Sequence, residues 1–304
     1  MVFRRVVPAV IVLLILVVLS PTAAPKFSEW SAPVNLGAVV NSPGGDAAPA
    51  LSKDGRSLYF NSNRPGGFGA GDLYVSQRES TDAAWGGPIN LGAVINSTAI
   101  ESVPELSRDG HWLFFNSNRP GSLGGLDIWV SYRQHVDDDF DWQTPVNLGP
   151  IVNSAVEDNV GGFFENEGAA PLLFLGSNRP GGPGLFDFYV SEMQSDGTFG
   201  PPVVIPELSS PLADPGLMVG FNGLEAFFFS ARAGGVGGQD LWTATRQAIT
   251  DLWSAPTNLG PLVNSTVIDQ RPYLGSDRGT LYFASDRGGG YGGLDLYLTT
   301  RTKN

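Results

Sequence analysis

One unit is written five times along this chain, and a chain built that way has few folds open to it. Five openings align, at Trp30 (WSAPVNLGAVVNS), Trp85 (WGGPINLGAVINS), Trp142 (WQTPVNLGPIVNS), Phe199 (FGPPVVIPELSS) and Trp253 (WSAPTNLGPLVNS). They are spaced by 55, 57, 57 and 54 residues. Each is followed by an acidic residue, a short extended run, a turn, an aromatic run, a glycine-rich loop and another extended run. A unit of this size cannot bury its apolar surface alone and must stack on its copies.

Each copy reads as four short strands, here called a to d. Strand a opens at the acidic residue, assigned as Asp46, Glu101, Glu157, Asp214 and Asp269. A hairpin turn follows. Asp54-Gly55, Asp109-Gly110 and Asn222-Gly223 supply the left-handed backbone that such turns need. Strand b (Leu58-Tyr59-Phe60, Leu113-Phe114-Phe115, Leu281-Tyr282-Phe283) is apolar at consecutive positions, so both of its faces are expected to be covered. Strand c begins at Asp72 and its equivalents, and strand d begins at the Trp. The 40 Gly and 23 Pro are concentrated in the loops between these runs, and no segment after the first 24 residues keeps a helical period.

Small four-stranded sheets stacked face to face at this period predict an all-β, five-bladed β-propeller of antiparallel strands, spanning residues 26–304 as one domain. The copies are out of phase with the chain ends. An orphan strand d, at about residues 30–36, precedes the first full unit, and the last unit stops after strand c. The orphan is expected to join the C-terminal a-b-c strands and close the ring, leaving no open sheet edge.

The run acidic-x-x-Pro-x-Leu-Ser-x-Asp-Gly-x-x-Leu-x-Phe-x-Ser-Asn-Arg-Pro-Gly-Gly-x-Gly-x-x-Asp-Leu-Tyr resembles the TolB-type, WD-like propeller repeat of exported bacterial envelope proteins. The resemblance covers Phe27–Lys303. It implies the fold and a non-catalytic protein that works by binding. Repeat three, with Gly161-Gly162-Phe163-Phe164, and repeat four, without Asn-Leu-Gly, depart from the pattern. Kelch propellers also carry Gly doublets, but here the doublets follow Ser-Asn-Arg-Pro.

The first 24 residues read as an address. Arg4 and Arg5 precede an apolar run at Val6–Leu19, broken only by Pro8, and small residues follow up to Ala24. This is the pattern of a secretory signal peptide, too short in its apolar part for a spanning helix. Its removal would take both arginines away and shift the net charge from −12 to −14. The expectation is an exported protein, periplasmic or secreted, that does not insert into a membrane after cleavage. So acidic a chain disfavours nucleic acid as a partner. With no Cys, disulfides, thiolate zinc sites and a cysteine nucleophile are excluded.

Two sets of charges recur in all five units. Arg64, Arg119, Arg179, Arg232 and Arg287 end strand b, and Asp72, Asp127, Asp187, Asp240 and Asp295 open strand c. A residue kept in every blade builds blades, so these ten are read as structural Arg–Asp pairs that pin the b–c loop. The strand-a acids Asp46, Glu101, Glu157, Asp214 and Asp269 are expected around the channel mouth, with Asn41, Asn96, Asn153 and Asn264 nearby. They cap backbone there, or they form an acidic funnel for a ligand, with Ca2+ the one cofactor the sequence suggests. In a glycoside hydrolase, Glu101, Glu157 and Asp269 would be the catalytic candidates. The Asp137–Asp141 cluster reads as a solvated loop and the four tryptophans as packing. His111 and His135 fall in turns on the face opposite the Arg loops. The partner expected is another envelope or extracellular protein, or a glycan.

Overall fold

The computed structural model describes residues 27–165 and 168–304. The predicted signal segment lies outside them. The described chain is all β, with five sheets of four antiparallel strands each. Strands a are Asp46–Leu51, Glu101–Leu106, Asp158–Phe164, Gly216–Val219 and Asp269–Leu274. Strands b are Ser57–Ser62, Trp112–Ser117, Leu172–Ser177, Glu225–Ser230 and Thr280–Ser285. Strands c are Asp72–Gln77, Asp127–Tyr132, Asp187–Glu192, Asp240–Thr245 and Asp295–Thr300. Strands d are only two residues long: Ile89–Asn90, Val146–Asn147, Val203–Val204, Thr257–Asn258 and, for the fifth blade, Val34–Asn35.

The ring closes as the phase of the repeats predicts. Val34–Asn35 pairs with the strand c of blade five, Val34 opposite Leu298. Ser28 and Ser31 amides donate to Thr302 and Thr300 carbonyls at 2.8 and 2.7 Å. Strand d starts four residues after its Trp rather than at it. Strand a of blade four starts at Gly216 rather than Asp214, because Pro215 has no amide to donate to the ladder.

Strand b carries the core. Leu58, Tyr59 and Phe60 are wholly buried, as are Leu281 and Phe283, because each strand b is covered by the blades on either side. The tryptophans seal these junctions. Trp142 of blade two meets Tyr59 of blade one edge-on at 6.4 Å, Trp30 of blade five meets Phe227 of blade four at 5.9 Å, and Phe199 of blade three meets Phe114 of blade two at 6.1 Å. Aromatic pairs in this geometry add about 0.5–1.5 kcal/mol beyond the area they bury. Blades also lock through the glycine loops. A Cβ at Gly69, Gly124, Gly184, Gly237 or Gly292 would overlap a carbonyl oxygen of the loop leading into the next strand a, so only glycine allows the loops to dock.

Strand a does one further thing. In blades one, two and five its pairing skips two residues, between Ala47 and Ala50, Ser102 and Glu105, and Gln270 and Tyr273. The residue at each bulge, Ala48, Val103 or Arg271, has a positive φ of 49–54° and precedes a proline. A bulge re-aims a side chain, and these three residues line the central channel.

Candidate functional site

The five arginines that end strand b do not pair with the Asp of strand c. Each reaches inward to the acid that opens strand a of its own blade. Arg64 meets Asp46 at 2.6 Å, Arg119 meets Glu101 at 3.0 Å, Arg232 meets Asp214 at 2.6 Å and Arg287 meets Asp269 at 2.5 Å; Arg179 meets Asp158 in the same way. The same Nη2 also donates to a backbone carbonyl, as from Arg64 to Val40 at 2.7 Å, and the guanidinium lies over the aromatic residues of strands b and c, Phe60 and Tyr74 in blade one. All five carboxylates have no exposed surface.

Blade three corrects the residue assignment. The acid at the start of its strand a is Asp158, and Glu157 is exposed on the preceding loop. The spacing that identifies the right residue is Ser-x-x-x-acid: Ser42, Ser97, Ser154, Ser210 and Ser265 each donate their backbone amide to the acid four residues on. Glu157 is three residues from Ser154 and misses that turn.

The strand-c Asp has a separate task. Its carboxylate accepts the amides of the glycine loop, as Asp72 does from Gly69 at 3.0 Å and Asp295 from Tyr291 at 2.7 Å. A strand-d Asn adds a third bond: Asn90 to Asp72 at 2.9 Å, Asn147 to Asp127 at 2.7 Å, Asn258 to Asp240 at 2.8 Å and Asn35 to Asp295 at 2.8 Å. Blade three has Val204 in that place, and burial without that donor pushes the Asp187 carboxyl above its ordinary range. The loop asparagines Asn41, Asn96, Asn153 and Asn264 imitate a backbone unit. Asn96, for example, accepts from the Leu73 amide at 2.8 Å and donates to its carbonyl at 2.9 Å.

A third repeated set escapes a reading by acidic motifs. Arg78, Arg133, Arg246 and Arg301 follow strand c, and each guanidinium lies 4.1–4.5 Å over the ring of Trp85, Trp142, Trp253 or Trp30. Their Nε groups hold the a–b turn, donating to carbonyls of Gly55, Gly110, Gly223 and Arg278 at 2.7–3.0 Å. Blade three replaces both partners together, with Met193 and Phe199 paired in their stead. That joint replacement is the signal in the sequence.

The Asp137–Asp141 loop also differs from its reading. Asp139 is only 4% exposed and crosses to blade one. It accepts from Ser57 at 2.6 Å, Gln77 at 2.7 Å, Tyr59 and, within its own blade, Arg133 at 2.8 Å. Burial alone would raise its carboxyl; the donors outweigh that and hold it below the usual range. His111 and His135 lie where expected, His111 stacked on Tyr132 and His135 against Asp141. Among the described residues, no group of three or more His, Cys, Asp or Glu is placed to hold a metal ion.

With the repeated charges spent in this way, the groups that differ between blades stand out, and the channel holds two of them. Its void is only about 20 Å3, room for a water or two. Glu105 of blade two faces it, 7% exposed, with the Phe163 amide as its donor at 3.3 Å. Burial pushes this carboxyl up to about 8, with the Phe163 amide opposing. The other blades have Ala50, Gly162, Met218 and Tyr273 at the matching place. Arg271 of blade five is the second group. Burial lowers it to about 10 against the pull of Glu157.

Glu105 makes a signed prediction. Its folded pKa lies above the unfolded value, so its penalty is absent below about pH 4.5, grows as pH rises, and is complete above about pH 8. Glu105→Gln keeps the acceptor for Phe163 and cannot ionise. Its melting temperature should match the parent at pH 4 and exceed it at pH 9, by the equivalent of up to about 5 kcal/mol. Equal melting at both pH values would remove the buried-acid description.

No protein-family model and no curated protein sequence matches the chain. Solved structures share its fold at low identity. The α-L-arabinofuranosidase PaAbf62A of Podospora anserina superposes with a TM-score of 0.57 at 12% identity, over 92% of this chain and 98% of that one. A GH43 endo-arabinanase from Bacillus licheniformis gives 0.56 at 13%, over 85% and 94%. A TolB described from Agrobacterium tumefaciens gives 0.50 at 15%, over 90% and 85%. These likenesses show the five-bladed propeller, and they reach hydrolases and TolB proteins alike.

Proposed function

We propose that this chain is an exported binding propeller, periplasmic or secreted, that holds another envelope or extracellular protein at the channel-mouth face and turns over no substrate. One observation carries the reading: every acid repeated at the mouth is buried against its own arginine. Glycoside hydrolysis uses two carboxyl groups made unequal by their surroundings and open to the sugar. Glu101 and Asp269, two of the three catalytic candidates, are equivalent partners of Arg119 and Arg287, and the third, Glu157, lies outside the ring of pairs. The TolB neighbours are in keeping with this role, and Ca2+ has no part in it.

The alternative is a glycan-active protein, favoured by the arabinofuranosidase and arabinanase neighbours and by Glu105, a carboxyl that stays protonated near neutrality. Its void has no space for a sugar ring. A screen of arabino- and xylo-oligosaccharides tests the two readings. No hydrolysis is expected. Turnover lost in Glu105→Gln or Glu101→Gln would overturn the binding proposal.

A further inference from the structure

Arg271 is a guanidinium that the other blades do not share, and the only arginine among the described residues that line the channel void. It sits at the bulge of blade five, where blades one and two have Ala48 and Val103 and blade four has Gly216. Its left-handed backbone (φ 54°) is a costly conformation for a side-chain-bearing residue. Among the described residues its side chain has no hydrogen-bond partner and no ion pair within 4.0 Å, and its Nη1 is shut off from solvent. The ring of Phe229 lies 5.1 Å from the guanidinium carbon. On the other side, a Cβ at Gly216 would come 2.8 Å from Nη1, so blade four is cut back to glycine where the guanidinium passes. Beyond the Phe229 ring the guanidinium has no polar partner among the described residues, and an Nη1 withdrawn from solvent without an acceptor costs stability.

The surroundings say what would suit it. Glu157 draws on Arg271 electrostatically without contact, and its side chain packs towards Gly125 of blade two instead. The strand-a acids on this face are already neutralised. The exposed acids Asp82, Asp137, Asp138, Asp196 and Asp251 belong to c–d loops on the opposite face of the ring; the loops of the mouth face keep Glu157 and Asp286 exposed, and Asp286 accepts the Ile268 amide at 2.8 Å. The void of about 20 Å3 admits a carboxylate head but no ring.

We propose that Arg271 is the anchor of a carboxylate-binding site in the channel mouth, filled by the slender acidic tip of a partner polypeptide, an Asp or Glu side chain or a C-terminus. A carboxylate accepts from a guanidinium in a two-pronged arrangement that Lys does not reproduce. A uronic acid carries the same group, but its carboxylate is bonded directly to the sugar ring, which the void would have to admit. This inference rests on the binding role proposed above and names the chemistry of its partner.

The test uses the full chain and calorimetric titration with four probes: the blocked peptide acetyl-Gly-Glu-Gly-amide, its Gln counterpart, sodium acetate and methyl glucuronide. The Glu peptide should bind, acetate more weakly, and the Gln peptide and methyl glucuronide about tenfold or more below the Glu peptide, the loss expected for a charge-assisted hydrogen bond. Arg271→Met should lose the same factor while folding normally. Gly216→Ala, which crowds Nη1 without changing charge, should weaken binding, and Glu157→Gln should tighten it. Equal binding of the Glu and Gln peptides, a preference for methyl glucuronide, no binding of any probe, or an Arg271→Met chain that binds normally or fails to fold would each overturn the proposal. Oligosaccharide hydrolysis would contradict the binding role and leave these titrations to stand on their own.

Discussion

Deleting residues 27–37 should open the ring and remove most of the stability of the whole domain. The segment supplies the strand d of blade five, Val34–Asn35, and its loss would strip the outer edge from the strand c at Asp295–Thr300. Trp30 would no longer cover Phe227, and Arg301, whose guanidinium lies 4.0 Å from the Phe27 ring and 4.5 Å from the Trp30 ring, would lose both. Arg301 also donates to Glu225 at 2.8 Å beside Arg278, so the junction between blades four and five loosens too. Burying a large apolar side chain is worth about 1.5–3 kcal/mol, and each backbone hydrogen bond about 0.5–1.5. The total exceeds about 5 kcal/mol, which is comparable to the stability of many whole domains. Thermal and urea unfolding would read it, with Leu36→Ala as the milder probe: Leu36 is half-buried against the core, and its loss is expected to cost about 1–2 kcal/mol. A deletion variant that melts with the parent would mean that the ring does not depend on its latch.

Asp139→Ala is the second large effect, expected at about 3–5 kcal/mol. The change leaves Arg133, 2% exposed, charged and buried, and takes the acceptor from Ser57, Tyr59 and Gln77 of the neighbouring blade. Pairing it with Arg133→Met should recover much of the loss, since a buried ion pair costs most when only half of it is removed. The pH dependence has a definite sign. The Asp139 carboxyl is held below its ordinary pKa, so its contribution is present above the unfolded value and fades as pH falls through the folded one. The gap between parent and Asp139→Ala should therefore narrow in acid. A surface-like loss below about 0.5 kcal/mol would return this loop to solvent.

The architecture was legible because it was copied. Five aligned openings gave the blade number, the doubled apolar face of strand b gave the stacking, and the orphan Trp30 segment gave the closure. The turns at Gly55, Gly110 and Gly223 have the positive φ that their Asp-Gly or Asn-Gly pairs require. Partner choice was harder to read. Each blade offers its strand-b arginine two carboxylates, and composition does not rank them; the arginine reaches the inner acid held by the Ser amide four residues before it, and the Asp of strand c is taken by the loop amides. Glu157 and Asp158 are adjacent acids, and only the distance from Ser154, whose amide meets the acid four residues on, tells them apart.

Asp139 was hidden for another reason. Its partners lie about 60 to 80 residues earlier in the chain, at Ser57, Tyr59 and Gln77, and only the packing of two blades brings them together. Arg271 and Glu105 were hidden by the repeat itself. A reading that looks for what the copies share passes over the positions where one copy differs, and which of those face the channel depends on the register of the bulge. In this chain the shared charges build the ring, Asp139 and Glu225 add single-blade locks to it, and Arg271 is the channel charge with no such pairing among the described residues.

That division is tested most directly by one measurement on two matched variants, thermal unfolding of Arg179→Met beside Arg271→Met. Both remove an arginine and insert the same side chain. The account predicts that Arg179→Met, which strands the buried Asp158, loses about 3–5 kcal/mol. It predicts that Arg271→Met melts at or above the parent temperature. An Arg271→Met chain that melts well below the parent, with Arg179→Met unchanged, would contradict it.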